Sequence, residues 1–329
     1  MKKILIQSGV ELYFGRHLPT DLVQTLCQKW GHRSIELADA NLHLSPCSNR
    51  FSFVPHKTRE DKQALEDRLF QAGYGRDSII VAIGGGTTTD LVGFLAATYM
   101  RGVPLILVPT TLIAMVDAAI GGKTSVDTPS GKNLVGAFYL PRAIVVDLAY
   151  LDTLPDAEWV NGRSEIIKMS LVYDASLLES KADEQILQSI LAKVAIVELD
   201  PFETGIRRIL NFGHTIGHAI ELCSDYQIAH GEAVALGCIA ESYLSMQMGF
   251  LAPDQFQRVL SLFPKFKWSY DRKKLLDAMN LDKKKANGKL RFVLISKIGE
   301  SVPFEGQYCS EVPSVLLEKA LEWMELEYV

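Results

Sequence analysis

The sequence predicts an α/β N-terminal domain with a Rossmann-like parallel sheet, followed by a mostly α-helical C-terminal domain. A length of 329 residues exceeds what one ordinary core needs and suits two domains. Short apolar runs alternate with helical segments as far as Leu154-Pro155, and the pattern is nearly all helical beyond that point. This change of pattern divides the chain into residues 1–154 and 155–329.

Apolar runs predict the strands of the first domain. They are rich in Ile, Val and Leu and lack strict alternation, as expected for strands that are covered on both faces. Between them, the spacing of Leu65, Leu69 and Phe70 predicts a helix over Thr58–Ala72. The predicted strands are Lys3–Gln7, Ser34–Ala38, Ser78–Ile83, Pro104–Val108 and Ala143–Leu148.

Helical periodicity dominates the second domain. It predicts helices over Ala182–Leu199 and Thr215–Leu222, and an amphipathic helix over Ser314–Leu326 after a glycine-containing turn. Leu290–Ile295 is predicted as a short strand. The cleft between the two domains is the expected location of an active site.

Composition excludes several classes of protein. A net charge of −5, from 34 basic and 39 acidic side chains, argues against nucleic-acid binding. Five cysteines without CxxC spacing predict free thiols in a reducing compartment. The N-terminal apolar run is too short for a signal peptide, and no stretch is long enough to span a membrane. We therefore expect a cytoplasmic protein.

A glycine-rich turn follows one predicted strand. Gly84, Gly85 and Gly86 would allow a ligand to approach the backbone and would take positive φ, and a helix is expected to begin near Thr87. The helix N-terminus favours a pyrophosphate there. Val108-Pro-Thr-Thr-Leu112 ends another strand, which brings two hydroxyls to the same sheet edge. For the glycines alone, a tight turn without a ligand is an equally good interpretation.

A second cluster of residues has the composition of a metal site. His214 and His218 are four residues apart, which places two imidazoles on one face of a helix, and His230 follows. Glu165 and Lys168 share a helical face upstream. One carboxylate and two imidazoles with an open position form a common catalytic zinc set. The structural alternative is a surface Glu165–Lys168 pair and a core histidine at 218.

Basic residues beside glycines favour a phosphorylated ligand. Backbone amides and a cation can together hold phosphate, as in Gly121-Gly-Lys-Thr124 and Ser130-Gly-Lys-Asn133. Arg101, Lys193 and Arg207 are further candidates. Three consecutive lysines occur at Lys283, Lys284 and Lys285. We interpret at least two of them as solvent-exposed residues of a turn.

Several blocks of the sequence resemble the 3-dehydroquinate synthase family. The longest begins at Gly84 and reads GGGTTTDLVGFLAATYMRGVPLILVPTTLIAMVDAAIGGKTSVDTPSGKNLVG. Others are GRSEIIK, KVAIVELDPFETGIRRILNFGHTIGHAIE, HGEAVALG and DKKKANGKLRFVL. The resemblance covers roughly residues 78–300.

The resemblance implies a role for each residue that matches the family's motifs. Zinc or cobalt would be bound by Glu165, His214 and His230, with His218 a nearby polar residue and not a ligand. The catalytic residues would be Lys123, Lys168, Lys193, Arg207, Asn211 and His218. NAD would be held by Asp39, Gly84, Gly85, Gly86, Asp90, Thr110, Thr111, Asp117, Lys132 and Thr153. The substrate would contact Arg101, Lys123, Asn133, Lys168, Lys193, Arg207, Asn211 and one of Lys283 or Lys284.

The family's reaction converts the phosphorylated heptulosonate DAHP to 3-dehydroquinate. A ring hydroxyl is oxidised with NAD, phosphate is eliminated, and the ketone is reduced again before ring opening and aldol closure. A metal that acts as a Lewis acid fits this chemistry, and so do lysines that stabilise the anions that develop. His218 is a candidate proton carrier. The family also implies a homodimer in which Arg101 reaches the other subunit's site.

Two departures from the family's pattern leave alternatives open. The family has Gly-Glu followed three residues later by Lys at the adenosine ribose, whereas His56-Lys57 and Glu60 reverse these charges here. Arg163-Ser164 replaces an apolar-Ala pair before Glu165. The rivals are another sugar-phosphate cyclase, a polyol oxidoreductase like glycerol dehydrogenase, and a non-catalytic relative.

Overall fold

The chain forms two compact units, Met1–Trp159 and Val160–Val329. The computed structural model describes residues 1–6, 9–266, 271–285 and 290–327, with the backbone alone described for 280–285. The boundary between the units lies inside a helix, Asp156–Val172, which begins just after the Leu154-Pro155 step.

A seven-stranded sheet with the order β1-β2-β9-β6-β5-β3-β4 forms the centre of the first unit. All neighbouring strands are parallel except β1 and β2, which pair antiparallel at one edge. Strands β7 and β8 form a separate antiparallel hairpin. The strands are β1 (Lys2–Ile6), β2 (Val10–Gly15), β3 (Arg33–Asp39), β4 (Arg50–Phe53), β5 (Ser78–Gly84), β6 (Leu105–Pro109), β7 (Lys123–Thr128), β8 (Gly131–Phe138) and β9 (Ala143–Asp147).

All five strands predicted for this unit are confirmed, with bounds that agree within one residue where the structure describes them. Gln7, the predicted end of the first strand, lies outside the described residues. The sequence patterns missed β2, β4 and the β7–β8 hairpin. Strand β4 has only four residues, and β7 reads KTSVDT, so neither shows a sustained apolar run.

Three helices complete the first unit. They are α1 (Leu22–Trp30), α2 (Arg59–Gln71) and α3 (Gly86–Thr98). The predicted Thr58–Ala72 helix is confirmed as α2, whose N-terminus is fixed by a capping box between Thr58 and Asp61. Helix α3 is largely apolar, and its buried residues include Leu91, Val92 and Leu95. It therefore packs as a core helix against β5, β6 and β7.

The second unit is helical and has its own apolar core. Its helices are α4 (Asp156–Val172), α5 (Ala182–Leu199), α6 (His214–Cys223), α7 (His230–Gln247), α8 (Pro253–Leu262), α9 (Arg272–Lys285) and α10 (Ser314–Glu327). Helices α5, α6 and α10 confirm the predicted helices within one residue. Among the described residues, no helix is long and apolar enough to cross a membrane.

The strand predicted over Leu290–Ile295 is wrong in its bounds. The observed strand β10 is Ile295–Lys297 and pairs antiparallel with β11 (Glu300–Ser301). Before it, Phe292 makes a single backbone bridge with Ser310. Phe292, Val293 and Leu294 are buried in the core of the unit, so their apolar run reflects burial and does not form a continuous strand.

Candidate active site

Strands β5 and β6 bring the glycine-rich turn and the two threonines together. The strands are parallel, and Gly84 pairs with Pro109 at their carboxyl ends. The backbone N–H of Thr110 donates to the carbonyl oxygen of Gly84 at 2.9 Å. The predicted meeting of the Gly84 and Thr110-Thr111 segments at one sheet edge is therefore confirmed.

The glycines of this turn are required by close packing. The prediction of positive φ was wrong, because none of Gly84, Gly85 and Gly86 has a positive φ. A Cβ atom on Gly84 would lie 2.5 Å from Thr88 Oγ1, and one on Gly85 would lie 3.1 Å from Thr111 Cγ2. Side chains already fill the space that a larger residue would need.

Helix α3 begins directly at this turn. Its N-cap is Gly85, which has no side chain to satisfy the amides of the first turn. An uncapped helix N-terminus beside a glycine turn suits an anionic group. The helix was expected to begin near Thr87, and α3 begins one residue earlier, at Gly86.

The remaining nucleotide candidates lie on several elements of the first unit. Asp39 ends β3, and its Oδ1 accepts hydrogen bonds from the backbone and side chain of Asn41. Asp117 lies in a π-helical turn, Ala114–Ala118, a feature common at functional sites. The others are Asp90 in α3, Lys132 in β8 and Thr153 in a 3₁₀ turn.

The substrate candidates of the first unit are on its surface. Arg101, Lys123 and Asn133 are all exposed. Arg101 and Asn133 have φ of 68° and 58°, a left-handed conformation that is uncommon for residues other than glycine. Strained backbone of this kind occurs often at functional sites.

Glu165, His214 and His230 meet in the second unit. Their candidate ligand atoms all lie within 4.8 Å of one another. The Oε1 atom of Glu165 lies 3.7 Å from His214 Nε2 and 3.4 Å from His230 Nε2. The three residues come from α4, α6 and α7, the last two at the first position of their helices. The structure thus brings together the three residues that the resemblance implied.

Both imidazoles are oriented through their other nitrogen. His214 Nδ1 lies 3.2 Å from the carbonyl oxygen of Phe212, and His230 Nδ1 lies 3.4 Å from Glu221 Oε2. Both acceptors favour a hydrogen on Nδ1, so Nε2, which lies on the Glu165 side of each ring, is the atom available to a metal. Metal-binding histidines are commonly held in this way.

His218 lies beside this cluster but on its exposed side. Its ring centroid is 5.1 Å from that of His214 and 6.3 Å from that of His230. A second group of three, His218, Glu221 and His230, also has its ligand atoms within 4.8 Å of one another. Glu221 faces Nδ1 of His230, and Glu165 faces Nε2. In the group of Glu165, His214 and His230, therefore, Nε2 of His230 can bind a metal while Glu221 orients the ring through Nδ1.

The charged groups around Glu165 shift one another's pKa values. Burial raises its pKa, but Lys168, His230 and His214 outweigh burial and bring the pKa well below the usual 4.5. Burial and the charge of Lys168 lower the pKa of His214 well below 6.5. Burial also lowers the pKa of His230, but the nearby carboxylates of Glu165 and Glu221 outweigh it and raise the value to about 9.

The residues of this cluster fit a divalent metal of the zinc type. The side chain of Glu165 is 2% exposed, and its Oε1 atom accepts no hydrogen bond of normal geometry from the described residues. A buried carboxylate oxygen in this state is costly unless a cation lies beside it. Lys168 Nζ contacts Oε2, which leaves Oε1 facing the two imidazoles. One carboxylate and two imidazoles leave a coordination position open for a substrate oxygen.

Several predicted cationic residues of this unit are buried. Lys168 and Arg207 are each 2% exposed and Lys193 is 6% exposed. Arg207 Nη1 donates to the carbonyl oxygen of Pro201 at 2.6 Å. Asn211 is exposed and donates to Glu203 Oε1. The side chains of Lys283 and Lys284 lie outside the described residues.

Three residues important to these arrangements were missed from the sequence. Glu221 follows His218 by three residues on α6, a spacing that could have indicated a shared face. Glu241 lies in an apolar stretch of α7 with no local signal, yet its carboxylate accepts a hydrogen bond from the Gly213 N–H at 2.9 Å. Lys57 is not among the residues to which the resemblance assigns a role, yet its side chain contacts Asp90 and Asn133.

The geometry can be compared with known proteins. Sequence models for the N-terminal and C-terminal parts of 3-dehydroquinate synthase match residues 54–161 and 162–285. Together they account for well over half of the chain.

The chain belongs to the 3-dehydroquinate synthase family.

Two curated relatives illustrate membership of this family. The 3-dehydroquinate synthase of Corynebacterium jeikeium is 42% identical over 298 residues, covering 82% of this chain and 81% of the relative. The pentafunctional AROM polypeptide of Lachancea thermotolerans is 40% identical over 300 residues, covering 74% of this chain. The chain spans only about a fifth of that relative's length, since the match covers 19% of it.

A solved structure supports the fold. The crystal structure of 2-deoxy-scyllo-inosose synthase complexed with carbaglucose-6-phosphate, NAD+ and Co2+ has a TM-score of 0.86 and 25% sequence identity. The comparison covers 97% of this chain and 98% of the other. The dehydroquinate synthase-like fold, an α/β domain followed by a helical domain, is thus confirmed.

Proposed function

We propose that this protein is a 3-dehydroquinate synthase, a carbon–oxygen lyase that converts DAHP to 3-dehydroquinate and phosphate. The observation that carries the proposal is the convergence of Glu165, His214 and His230 beside the buried Lys168. This cluster occurs in a chain that is 42% identical to a bacterial 3-dehydroquinate synthase. The product belongs to the shikimate pathway of aromatic amino-acid biosynthesis.

NAD and zinc, or cobalt, are the proposed cofactors. When bound, NAD supplies a reversible hydride acceptor and the metal supplies a Lewis acid for a substrate oxygen. The donor set in the second unit suits such a metal, and the uncapped start of α3 suits the cofactor's pyrophosphate. In the related 2-deoxy-scyllo-inosose synthase structure, NAD+ and Co2+ are both bound.

The proposed roles of the residues follow from their charge and burial. Lys168 and Lys193 are buried cations, and fixed positive charge in a poorly solvated site stabilises anions that develop on the substrate. Arg207 offers a planar guanidinium for a carboxylate or phosphate. His218 is exposed at the edge of the histidine cluster, where it could exchange protons with substrate and solvent.

Residues of the first unit would hold the cofactor and part of the substrate. Gly84, Gly85, Gly86, Thr110 and Thr111 form the proposed cofactor edge. Asp39, Asp90, Asp117, Lys132 and Thr153 complete this proposed set. Arg101, Lys123 and Asn133 would contact the anionic substrate, together with Asn211 and one of Lys283 or Lys284.

We further propose that the protein works as a cytoplasmic homodimer. The exposed Arg101, held in a left-handed conformation, is the residue expected to reach the partner's site. Mixing an Arg101→Ala variant with a Lys168→Ala variant tests this idea. Recovery of activity in the mixture supports a shared site, and no recovery from two folded, dimeric variants contradicts it.

The main rivals differ in substrate. Another sugar-phosphate cyclase would share the fold and cofactors, and a polyol oxidoreductase would form NADH from an alcohol. Sequence identity favours the dehydroquinate branch, since it is 42% to the bacterial synthase and 25% to the 2-deoxy-scyllo-inosose synthase. Lys193, Arg207, Asn211 and His218 also stand as that branch has them.

Phosphate release from competing substrates tests the assignment. Purified protein with NAD and zinc is offered DAHP, glucose 6-phosphate, or glycerol. We expect phosphate and 3-dehydroquinate from DAHP, and no phosphate from glucose 6-phosphate. Phosphate from glucose 6-phosphate alone would support the rival cyclase, and NADH formed from glycerol would support the oxidoreductase.

A further inference from the structure

A buried hydrogen bond joins two of the helices that carry the metal candidates. Asn161 lies on α4 and is 9% exposed. Its Oδ1 accepts a hydrogen bond from the backbone N–H of Gly231 on α7 at 2.8 Å. Asn161 precedes Glu165 by four residues on α4, and Gly231 directly follows His230 on α7. The bond therefore lies close to a candidate ligand on each helix.

The first turn of α7 takes its cap from α4. The N-cap residue of α7 is Ala229, whose side chain makes no capping hydrogen bond. The first amides of a helix have no acceptor within the helix, and a buried amide without an acceptor is costly. The Gly231 N–H is one of these amides, and the Asn161 side chain supplies its acceptor.

The two helices also touch backbone to backbone at this point. A Cβ atom on Gly231 would collide with the Cα atom of Asn161, so only glycine allows α7 to approach α4 this closely. Side chains four residues apart lie on one face of a helix, so Asn161 and Glu165 share the face that meets α7. The 3.4 Å between Glu165 Oε1 and His230 Nε2 is thus spanned about one helical turn from the contact.

We propose that Asn161 is a positioning residue that fixes the start of α7, and with it His230, against Glu165. His230 is the first residue of α7, so its backbone moves with the capped turn. Without the Asn161 oxygen, the Gly231 N–H loses its acceptor and the first turn of α7 can fray. His230 Nε2 is then held less firmly beside Glu165, which weakens metal binding. The proposal rests on the proposed function for the assignment of Glu165, His214 and His230 as metal ligands.

Zinc affinity tests this role without any substrate. Protein loaded with NAD is titrated with zinc in competition with a chromophoric chelator, as wild type, Asn161→Ala and Asn161→Asp. We expect Asn161→Ala to weaken zinc binding about tenfold, which is typical of groups that orient metal ligands. Asn161→Asp keeps an acceptor oxygen for the Gly231 N–H and should lose no more than about threefold.

Ser170→Ala is the matched control on the same helix. Ser170 is buried on α4, and its Oγ donates to the carbonyl oxygen of Ile167 at 2.6 Å. The variant loses one buried hydrogen bond of the unit, but that bond does not join α4 to α7. We expect the melting temperature to fall in both Ser170→Ala and Asn161→Ala, and the zinc affinity to fall in Asn161→Ala alone.

Cobalt in place of zinc reports the arrangement of the ligands directly. The visible absorption of bound Co2+ depends on the identity and geometry of its ligands. We expect the bands of Asn161→Ala to differ from those of the wild type in position or intensity. The bands of Asn161→Asp and Ser170→Ala should match the wild type.

Two results would overturn the proposal. One is an Asn161→Ala variant whose zinc affinity and cobalt spectrum match those of Ser170→Ala. The other is an Asn161→Asp variant that loses as much zinc affinity as Asn161→Ala, since the acceptor oxygen would then not be the cause.

The same measurements separate this proposal from the proposed function. Turnover of DAHP together with either overturning result would keep the function and reject the role of Asn161. A wild type that binds zinc without turning over DAHP, with the expected loss of affinity in Asn161→Ala, would reject the function and keep the role of Asn161.

Discussion

At the scale of single residues, the two imidazoles of the Glu165–His214–His230 group are held by different groups. A backbone carbonyl orients His214, whereas the Glu221 carboxylate orients His230. Glu221 is 5% exposed, so its charge is poorly screened and acts strongly on its neighbour. A carboxylate at Nδ1 fixes the ring and makes Nε2 a better ligand.

Removal of Glu221 should weaken the binding of metal. For Glu221→Ala we expect a loss of roughly 10–100-fold in zinc affinity, the usual effect of losing such an orienting group. Competition with a chromophoric chelator measures this affinity without any assay of turnover. Glu221→Gln, which keeps an acceptor, should lose less.

The control for this measurement is Glu318→Gln, which changes an exposed carboxylate on α10. Its zinc affinity should equal that of the wild type. An unchanged affinity in Glu221→Ala would show that His230 does not depend on Glu221 for its orientation.

Sequence spacing predicted part of this cluster. The four-residue spacing of His214 and His218 is real, since both lie on α6, but His218 is on the exposed side. Glu165 and His230 come from other helices, and spacing along the chain cannot show that α4 and α7 meet α6. Only the family's motifs indicated that combination.

At the scale of secondary-structure elements, the start of α6 determines where His214 lies. Gly213, with φ of 77°, precedes His214, and its N–H donates to the buried Glu241 of α7. A Cβ on Gly213 would lie 2.5 Å from Cys238 Sγ, so α6 and α7 are in close contact here. The carboxylate from α7 therefore caps the helix that presents His214.

Loss of the Glu241 cap should destabilise the second unit. In Glu241→Leu the Gly213 amide stays buried without an acceptor, which costs about 1–3 kcal/mol. We expect lower melting temperature and weaker zinc binding, and a smaller effect in Glu241→Gln, which retains an acceptor oxygen. Equal melting temperatures for wild type and Glu241→Leu, measured by calorimetry, would contradict the capping role.

A pH-dependent contact joins β2 to β1 and α1 in the first unit. Glu11 on β2 lies 2.9 Å from Lys3 of β1 and 2.7 Å from Lys29 of α1. Burial raises the pKa of Glu11, but hydrogen bonds from Lys29, Lys3 and Tyr13 outweigh it and lower the pKa to about 2. Because the pKa is lower in the folded protein, the ionised carboxylate stabilises the folded state at pH values above the ordinary pKa of the group.

This stabilisation should disappear at low pH. We expect the difference in unfolding free energy between wild type and Glu11→Gln to be constant above its ordinary pKa of 4.5 and to shrink as pH falls towards about 2. Urea unfolding across this range measures it, with Glu60→Gln as an exposed control in the same unit. A difference that does not vary with pH would show that Glu11 is not held as an anion.

At the scale of the whole molecule, apolar runs predicted the central strands because β5, β6 and β9 are almost wholly buried and because Ile35, Leu37 and Ala38 of β3 are buried. They missed β2, and they missed β4, which has only four residues. In the site the limit is distance along the chain, since Lys57 joins residues 33 and 76 positions away. Local pattern thus identified the elements, and long-range contacts determined how site residues combine.

The central claim is that this chain uses NAD catalytically to make 3-dehydroquinate from DAHP. The most direct test supplies DAHP in large excess over NAD, with zinc, and follows 3-dehydroquinate, phosphate and absorbance of NADH together. We predict many turnovers for each NAD, equal amounts of both products, no lasting NADH, and loss of all turnover with a chelator. NADH that accumulates in proportion to consumed substrate, or chelator-resistant turnover, would contradict the account.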